Sequence, residues 1–352
     1  MNKIHFLSLV LFWMTVFSYA VLNTASAAPY CSKRFVSVVA HLDDEILFIN
    51  PEIMQNFDAG ACITSVHLTG GFFGSTFAGV EAREQGLRKA YAKMAYVPDD
   101  WTKETVLFAG KEVTAFTLNG LDNPNQTVQF FEFRLPCGGA CSAASSLQNL
   151  WDFNQPQTIQ RPTIDDTNPP VIPPATPSRI YNNRDELQAA LLAVFQSQRV
   201  TKLSTLNPDT IPYIEHPDHI YAARITRAIA KLLTNNIGIS YHETYPTPGR
   251  PFNVLGQELQ RKHDIVASYF SIAVELGSFT ESHWNGNWIP RRYQWTGHVH
   301  DNRPDWQAFP FELVNALTSQ CLTSKGELCI VTNRGRTRAA EGINRHVIFR
   351  ES

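Results

Sequence analysis

Two groups of residues stand out for the chemistry their side chains can do: His41-Leu42-Asp43-Asp44-Glu45 and, much later, His216-Pro217-Asp218-His219. Imidazole nitrogens and carboxylate oxygens are the donors of catalytic zinc sites, which take three ligands from protein and leave a further position to water. His41 and Asp44 are three residues apart. In a strand-to-helix turn that spacing lets both side chains converge on one point, and His219 can supply a third donor from elsewhere. Asp43 adjoins a ligand but need not share its direction, so it is free to take a proton from an activated water. Such a set supports metal-assisted hydrolysis. Taken singly, an Asp-Asp-Glu run is also a solvated turn and a histidine before a helix is also a cap, so the weight rests on where the surrounding elements place the two groups.

Residues 35–40, a β-branched apolar run, predict a buried parallel strand that ends at His41. Asn50-Pro51 reads as an N-cap followed by proline at the first helical position, with a helix to about residue 57 stopped by Asp58-Ala59-Gly60. A second strand over 63–68 completes a βαβ unit, the building block of an open sheet whose ligands bind at the carboxyl ends of its strands. Thr69-Gly70-Gly71 with Gly74 and Gly79 makes a polar loop, and Val80, Leu87, Tyr91 and Met94 mark the next helix. Residues 105–135 read as strand-rich, and the prolines of 155–177 predict an extended surface loop. An amphipathic helix over 184–198 and a strand over 202–206 then lead to the second group, which opens another helix. The expected fold is α/β, a Rossmann-like three-layer sandwich with a mostly parallel sheet, and both groups fall on one sheet edge.

With 352 residues, 43% hydrophobic and 18% charged, the chain can bury a sizeable core and is neither disordered nor fibrous in composition. A net charge of -2 without a Lys/Arg run excludes the electrostatic footprint of a nucleic-acid binder. Lys3, the apolar residues 6–22 and Ala25-Ser26-Ala27 read as a signal peptide over 1–27, which predicts a secreted or periplasmic protein. The alternative is a membrane anchor formed by the same segment left uncleaved; no later segment is long and apolar enough to span a bilayer. Six cysteines in an exported chain suggest disulfides rather than a cysteine zinc site. Pairing of neighbours gives Cys31 with Cys62, Cys137 with Cys141 and Cys321 with Cys329, although sequence alone leaves connectivity and oligomeric state open. Residues 28–276 are expected to form the catalytic domain and 277–352 a β-rich C-terminal extension packed on it. Trp284, Trp288, Tyr293 and Trp295 suit either stacking on sugar rings or packing of that extension. His298-Val299-His300 reads as two polar side chains on one face of a strand.

Ala40-His41-Leu42-Asp43-Asp44-Glu45 resembles the A-H-P-D-D-E signature of the PIG-L/LmbE-like zinc N-acetylglucosamine deacetylases, and His216-Pro217-Asp218-His219 is similar to that family's H-P-D-H. Leu68-Thr69-Gly70 resembles the threonine-glycine loop between them, and the likeness spans roughly residues 35–270. The resemblance implies an LmbE-like fold with zinc on His41, Asp44 and His219, and Asp43 as general base. Protonated His216 would stabilise the oxyanion or assist the leaving amine, and Arg83 would contact substrate. Glu45 is expected to orient a ligand. The implied reaction is removal of the N-acetyl group from an N-acetylglucosamine-containing glycan or glycoconjugate. A zinc amidohydrolase for another N-acyl substrate and a catalytically silent carbohydrate-binding protein are the alternatives. Two positions depart from the family pattern: Leu42 replaces its proline, and Gly86 stands where it often has the glutamate of an R-x-x-E helix.

Overall fold

The computed structural model describes residues 31–71, 77–137, 146–159, 176–208, 215–272 and 281–299, together with four short strands between residues 313 and 339. The chain divides into two units, Met1–Asp301 and Asn302–Ser352. Within the first, fully buried β1 (Arg34–Val39) and β2 (Cys62–Thr69) pair in parallel, as a strand covered on both faces requires. Between them lie a π-helical turn, Glu45–Ile49, and α1 (Glu52–Asp58). After α2 (Phe77–Ala95) come β3 (Trp101–Phe108), β4 (Lys111–Leu118) and β5 (Val128–Leu135). Then follow α3 (Ser146–Phe153), β6 (Gln157–Thr158), β7 (Ile180–Tyr181), α4 (Arg184–Gln198), β8 (Lys202–Leu206) and α5 (Pro217–Ala230). The unit closes with β9 (Gly238–His242), α6 (Gly256–Phe270), α7 (Glu281–Asn287) and β10 (Gln294–His298).

Eight strands form one sheet in the order β10-β9-β8-β1-β2-β5-β4-β3. The run from β9 to β5 is parallel, and antiparallel β10 and the β4/β3 hairpin flank it. Helices pack around this sheet, so the expected mostly parallel α/β architecture is the one observed. From β1 the chain passes to β2 on one side, and the later β8 takes the other. The strand order therefore reverses between β1 and β8, and an open α/β sheet offers its crevice at the carboxyl ends of such a pair.

The second unit contains a four-stranded antiparallel sheet, β11 (Leu313–Asn315), β12 (Gln320–Leu322), β13 (Leu328–Val331) and β14 (Thr337–Ala339), in which the register sets Cys321 opposite Cys329. It begins later than the boundary expected at 276/277. The reason is non-local: β10 pairs with β9 and forms an edge of the main sheet, and Trp284 and Trp288 are buried in the first unit's core.

Two local expectations are corrected. Asn50 does not cap a helix: Asp44 opens the π-helical turn, Asn50 closes it by donating its amide to the Glu45 carbonyl at 2.9 Å, and α1 starts at Glu52. A π turn widens the backbone and often marks a functional site, and here it follows the first acidic group directly. The ends of the proline-rich stretch are tied down, since β6 pairs with β7 and Ile159 is buried. The residue 1–27 segment, the interior of the 155–177 loop, Cys141 and His300 lie outside the described residues.

Candidate metal centre and active site

β1 delivers His41 and Asp44 to the carboxyl edge of the sheet, and the segment after β8 delivers His216 and His219 beside them. Thr69, ending β2, braces the first group from below: its amide and its hydroxyl both donate to the Ala40 carbonyl, each at 2.9 Å. Gly71 then lets two functional side chains close in. It has φ +62°, and a Cβ there would lie 3.1 Å from both Arg83 Nη1 and His41 Cβ.

His41 Nδ1 is 3.1 Å from His219 Nε2, His219 Nε2 is 3.0 Å from Asp44 Oδ1, and His41 Nδ1 is 3.5 Å from Asp44 Oδ2. Two ligands at zinc-nitrogen or zinc-oxygen bond length around a tetrahedral ion lie about 3.3 Å apart. The three buried donors thus stand at the spacing a small divalent ion imposes, and they fit one. The Asp44 carboxylate is aimed by amides, accepting from His41 N at 2.8 Å and Ala40 N at 3.2 Å. Burial alone would raise Asp44, but His219 and His41 hold it well below the usual carboxylate range, so it is an anion ready to ligate.

Each imidazole is backed by a carboxylate. Glu215 Oε1 accepts from His219 Nδ1 at 2.7 Å while its other oxygen accepts from the Thr244 hydroxyl, and Asp218 Oδ2 lies 3.6 Å from His41 Nε2. Partners of this kind fix ring orientation and raise ligand basicity. Burial works against a charge on His219, yet Asp44 and Glu215 hold it up to about 10. Glu45, expected to orient a ligand, does not: its Oε1 bonds His67 Nε2 at 2.8 Å and Tyr91 at 3.3 Å beneath the site. The orienting carboxylates are Glu215 and Asp218. Both sit in or beside the second motif, where the need of a metal-bound histidine for a carboxylate partner could have pointed to them.

Asp43 lies outside the donor triangle, with Oδ2 3.6 Å from Arg83 Nη1 and its side chain 16% exposed. Burial raises it above the ordinary carboxylate range against the pull of Arg83, and Asp44 raises it further, a direction that suits a base working near neutrality. Gly86 is explained by packing. A Cβ there would meet the Tyr269 carbonyl oxygen of α6 at 2.8 Å, so this helix cannot carry the family's glutamate, and Arg83 reaches the site without it.

His216 caps α5, accepting the Asp218 amide on Nδ1 at 3.1 Å. Its proton therefore resides on Nε2. Burial and the charges of His41 and His219 lower it to about 4, which favours a neutral ring with Nε2–H as its donor. Cys137 joins His41, His216 and Asp218 in a second grouping of donors, with Sγ 3.9 Å from His41 Nε2. Being disulfide-bonded, it offers no thiolate. Cys31 and Cys62 form the expected disulfide at the starts of β1 and β2.

Donors so arranged at a strand-order reversal mark the chain as a metal-dependent hydrolase. It belongs to the PIG-L family, described as GlcNAc-PI de-N-acetylase, which matches residues 36–230, more than half of the sequence, and it is an N-deacetylase of that family. Among curated proteins, no sequence matches it. Solved structures to which it is similar include the zinc-inhibited form of teicoplanin deacetylase Orf2, at 12% identity over 72% of this chain and 90% of that one, with a TM-score of 0.40. Others are N,N'-diacetylchitobiose deacetylase from Pyrococcus horikoshii, at 11% identity, 77% and 82% coverage and TM-score 0.39, and GalB, the 4-carboxy-2-hydroxymuconate hydratase from Pseudomonas putida KT2440, at 13%, 72%, 82% and 0.37.

Proposed function

We propose that the protein removes the acetyl group from an N-acetylglucosamine-containing glycan or glycoconjugate, with zinc held by His41, Asp44 and His219. The observation that carries this reading is the convergence of those three donors beside an unligated Asp43. Zinc, when bound, supplies a Lewis acid that polarises the acetamide carbonyl and acidifies water. Asp43, outside the donor triangle and raised by burial, takes the proton of the attacking water and passes it to the departing amine. Arg83 keeps Asp43 turned into the site by the 3.6 Å ion pair. His216, its Nδ1 committed to the Asp218 amide, directs Nε2–H at the oxygen on which negative charge develops. A donor in that role is worth about 3 to 4 kcal/mol. Glu215 and Asp218 hold the two ligand rings at their angles.

An exported location belongs to the same proposal. It is supported by the apolar N-terminal run and A-x-A site, and by the Cys31–Cys62 disulfide. The deciding experiment incubates zinc-loaded protein with chitooligosaccharides, N-acetylglucosaminyl lipids and amines bearing longer N-acyl chains, and follows acetate or fatty acid release. Acetate from the glucosamine substrates is the expected result. Release only of longer acids would reassign the acyl group, and binding without release would leave a carbohydrate-binding protein.

A further inference from the structure

We propose that Tyr245 is the sugar platform of this site, the surface on which the pyranose ring of the substrate stacks while its acetamide is held at the metal ligands. The inference rests on the deacetylase reading and specifies how that site selects its substrate. Tyr245 follows β9 at the same sheet edge as the ligands. Its ring centre lies 5.0 Å from that of His219 and 6.4 Å from that of His216. Behind it are Trp288, stacked at 5.8 Å and 18°, and Phe48 at 6.2 Å, themselves in edge contact at 5.6 Å. Phe48 and Trp288 are buried, whereas Tyr245 is 38% exposed. Tyr245 is therefore the member of this aromatic cluster that faces solvent, and it does so beside a metal ligand.

A packing role would not need that exposure. Nor does the hydroxyl anchor the loop, since it makes no hydrogen bond among the described residues. The loop is fixed by other groups: Thr247 donates to the Thr244 carbonyl through its amide at 3.0 Å and its hydroxyl at 2.8 Å, and Arg250 forms a two-pronged pair with Glu243 at 2.7 Å. Trp288 is held in turn by the buried Lys262 amino group, which donates to its carbonyl at 3.2 Å. A preformed aromatic surface loses little freedom on binding. In an N-acetylglucosamine the pyranose carbon is joined directly to the amide nitrogen, so a carbonyl placed at the ligands brings the apolar C–H face of the ring within reach of an aromatic that touches His219. Tyrosine suits the task, pairing an apolar body with a polar tip for the sugar hydroxyls.

The test measures binding rather than turnover, by calorimetric titration of chitotriose into zinc-loaded Asp43→Asn protein, alone and combined with Tyr245→Ala or Tyr245→Phe. Tyr245→Ala should weaken binding about tenfold and Tyr245→Phe should restore it, with metal content and melting temperature unchanged. In the active background, Tyr245→Ala should raise KM for chitotriose far more than KM for an acyclic N-acetyl amine. Unchanged affinity in Tyr245→Ala, a Tyr245→Phe protein as weak as Tyr245→Ala, equal losses on cyclic and acyclic amides, or no binding of chitotriose to the Asp43→Asn protein would each overturn the platform. Failure of the deacetylase reading looks different: chitotriose would bind through Tyr245 while the wild-type protein released no acetate.

Discussion

Replacing Glu215 by glutamine removes one charge behind a metal ligand and changes little else, which makes it a sharp probe of the centre. Oε1 accepts from His219 Nδ1 at 2.7 Å and from the His216 amide at 2.8 Å, while the second oxygen accepts from the Thr244 hydroxyl. A glutamine carbonyl can keep the first two bonds, and the Thr244 hydroxyl can rotate to accept from the new amide. The loss is then chiefly that of the carboxylate that makes His219 a stronger donor. It falls at the lower end of the range for groups backing metal ligands, about tenfold in zinc affinity or about 1.4 kcal/mol. Glu215→Ala also strips the His216 amide of its acceptor and leaves the buried His219 N–H only the Thr244 hydroxyl at 3.3 Å; a buried group left unpaired costs roughly 1 to 3 kcal/mol, and the loss should approach a hundredfold. The assay is competition for zinc against a fluorescent chelator near neutral pH, with melting temperatures recorded without metal. Wild-type affinity in Glu215→Gln would refute the claim that this carboxylate conditions His219.

Three further outcomes follow from the structure. His219 is held up to about 10 by its two carboxylates, so zinc must displace its Nε2 proton; binding near neutrality should release about one proton from this residue, and calorimetric titrations in buffers of different ionisation enthalpy should differ accordingly. Because that folded-state value lies above the ordinary histidine value of 6.5, the ion pairs of His219 stabilise the metal-free protein fully below pH 6.5, and its Tm should fall as pH rises towards about 10; a buffer-independent zinc enthalpy, or a metal-free Tm that climbs over that window, would contradict the assignment. Gly86→Ala should lower Tm despite alanine's better helix propensity, because the new Cβ meets the Tyr269 carbonyl at 2.8 Å and overpacking of this kind costs about 1 to 3 kcal/mol; a raised Tm would show that α2 and α6 are looser than described.

What the sequence made legible was local or was carried by motifs. Arg184–Gln198 forms the helix that its periodicity predicts, because one buried face decides it, and Lys202–Leu206 forms the expected short strand, buried along nearly its whole length. The ligand triad could be read because each donor follows a strand that ends on the same edge. Glu45-Ile46-Leu47-Phe48-Ile49 gave no sign of a π turn, since a short, wholly buried run has no polar face to report its period. β10 could not be assigned to the main sheet because its partner β9 lies far away in sequence and the intervening 273–280 stretch has no distinctive pattern. Tyr245 carried no signal at all: its place against His219 depends on the turn that follows β9 and on Trp288 arriving from α7.

In the proposed reaction Asp43 acts as the base beside an ion it does not bind. The decisive comparison is of purified wild-type and Asp43→Asn proteins for zinc content and for acetate released from an N-acetylglucosamine substrate. One zinc per chain is expected in both, with a rate reduced at least about a hundredfold in the variant. Full turnover by Asp43→Asn, or loss of the ion along with the activity, would contradict it.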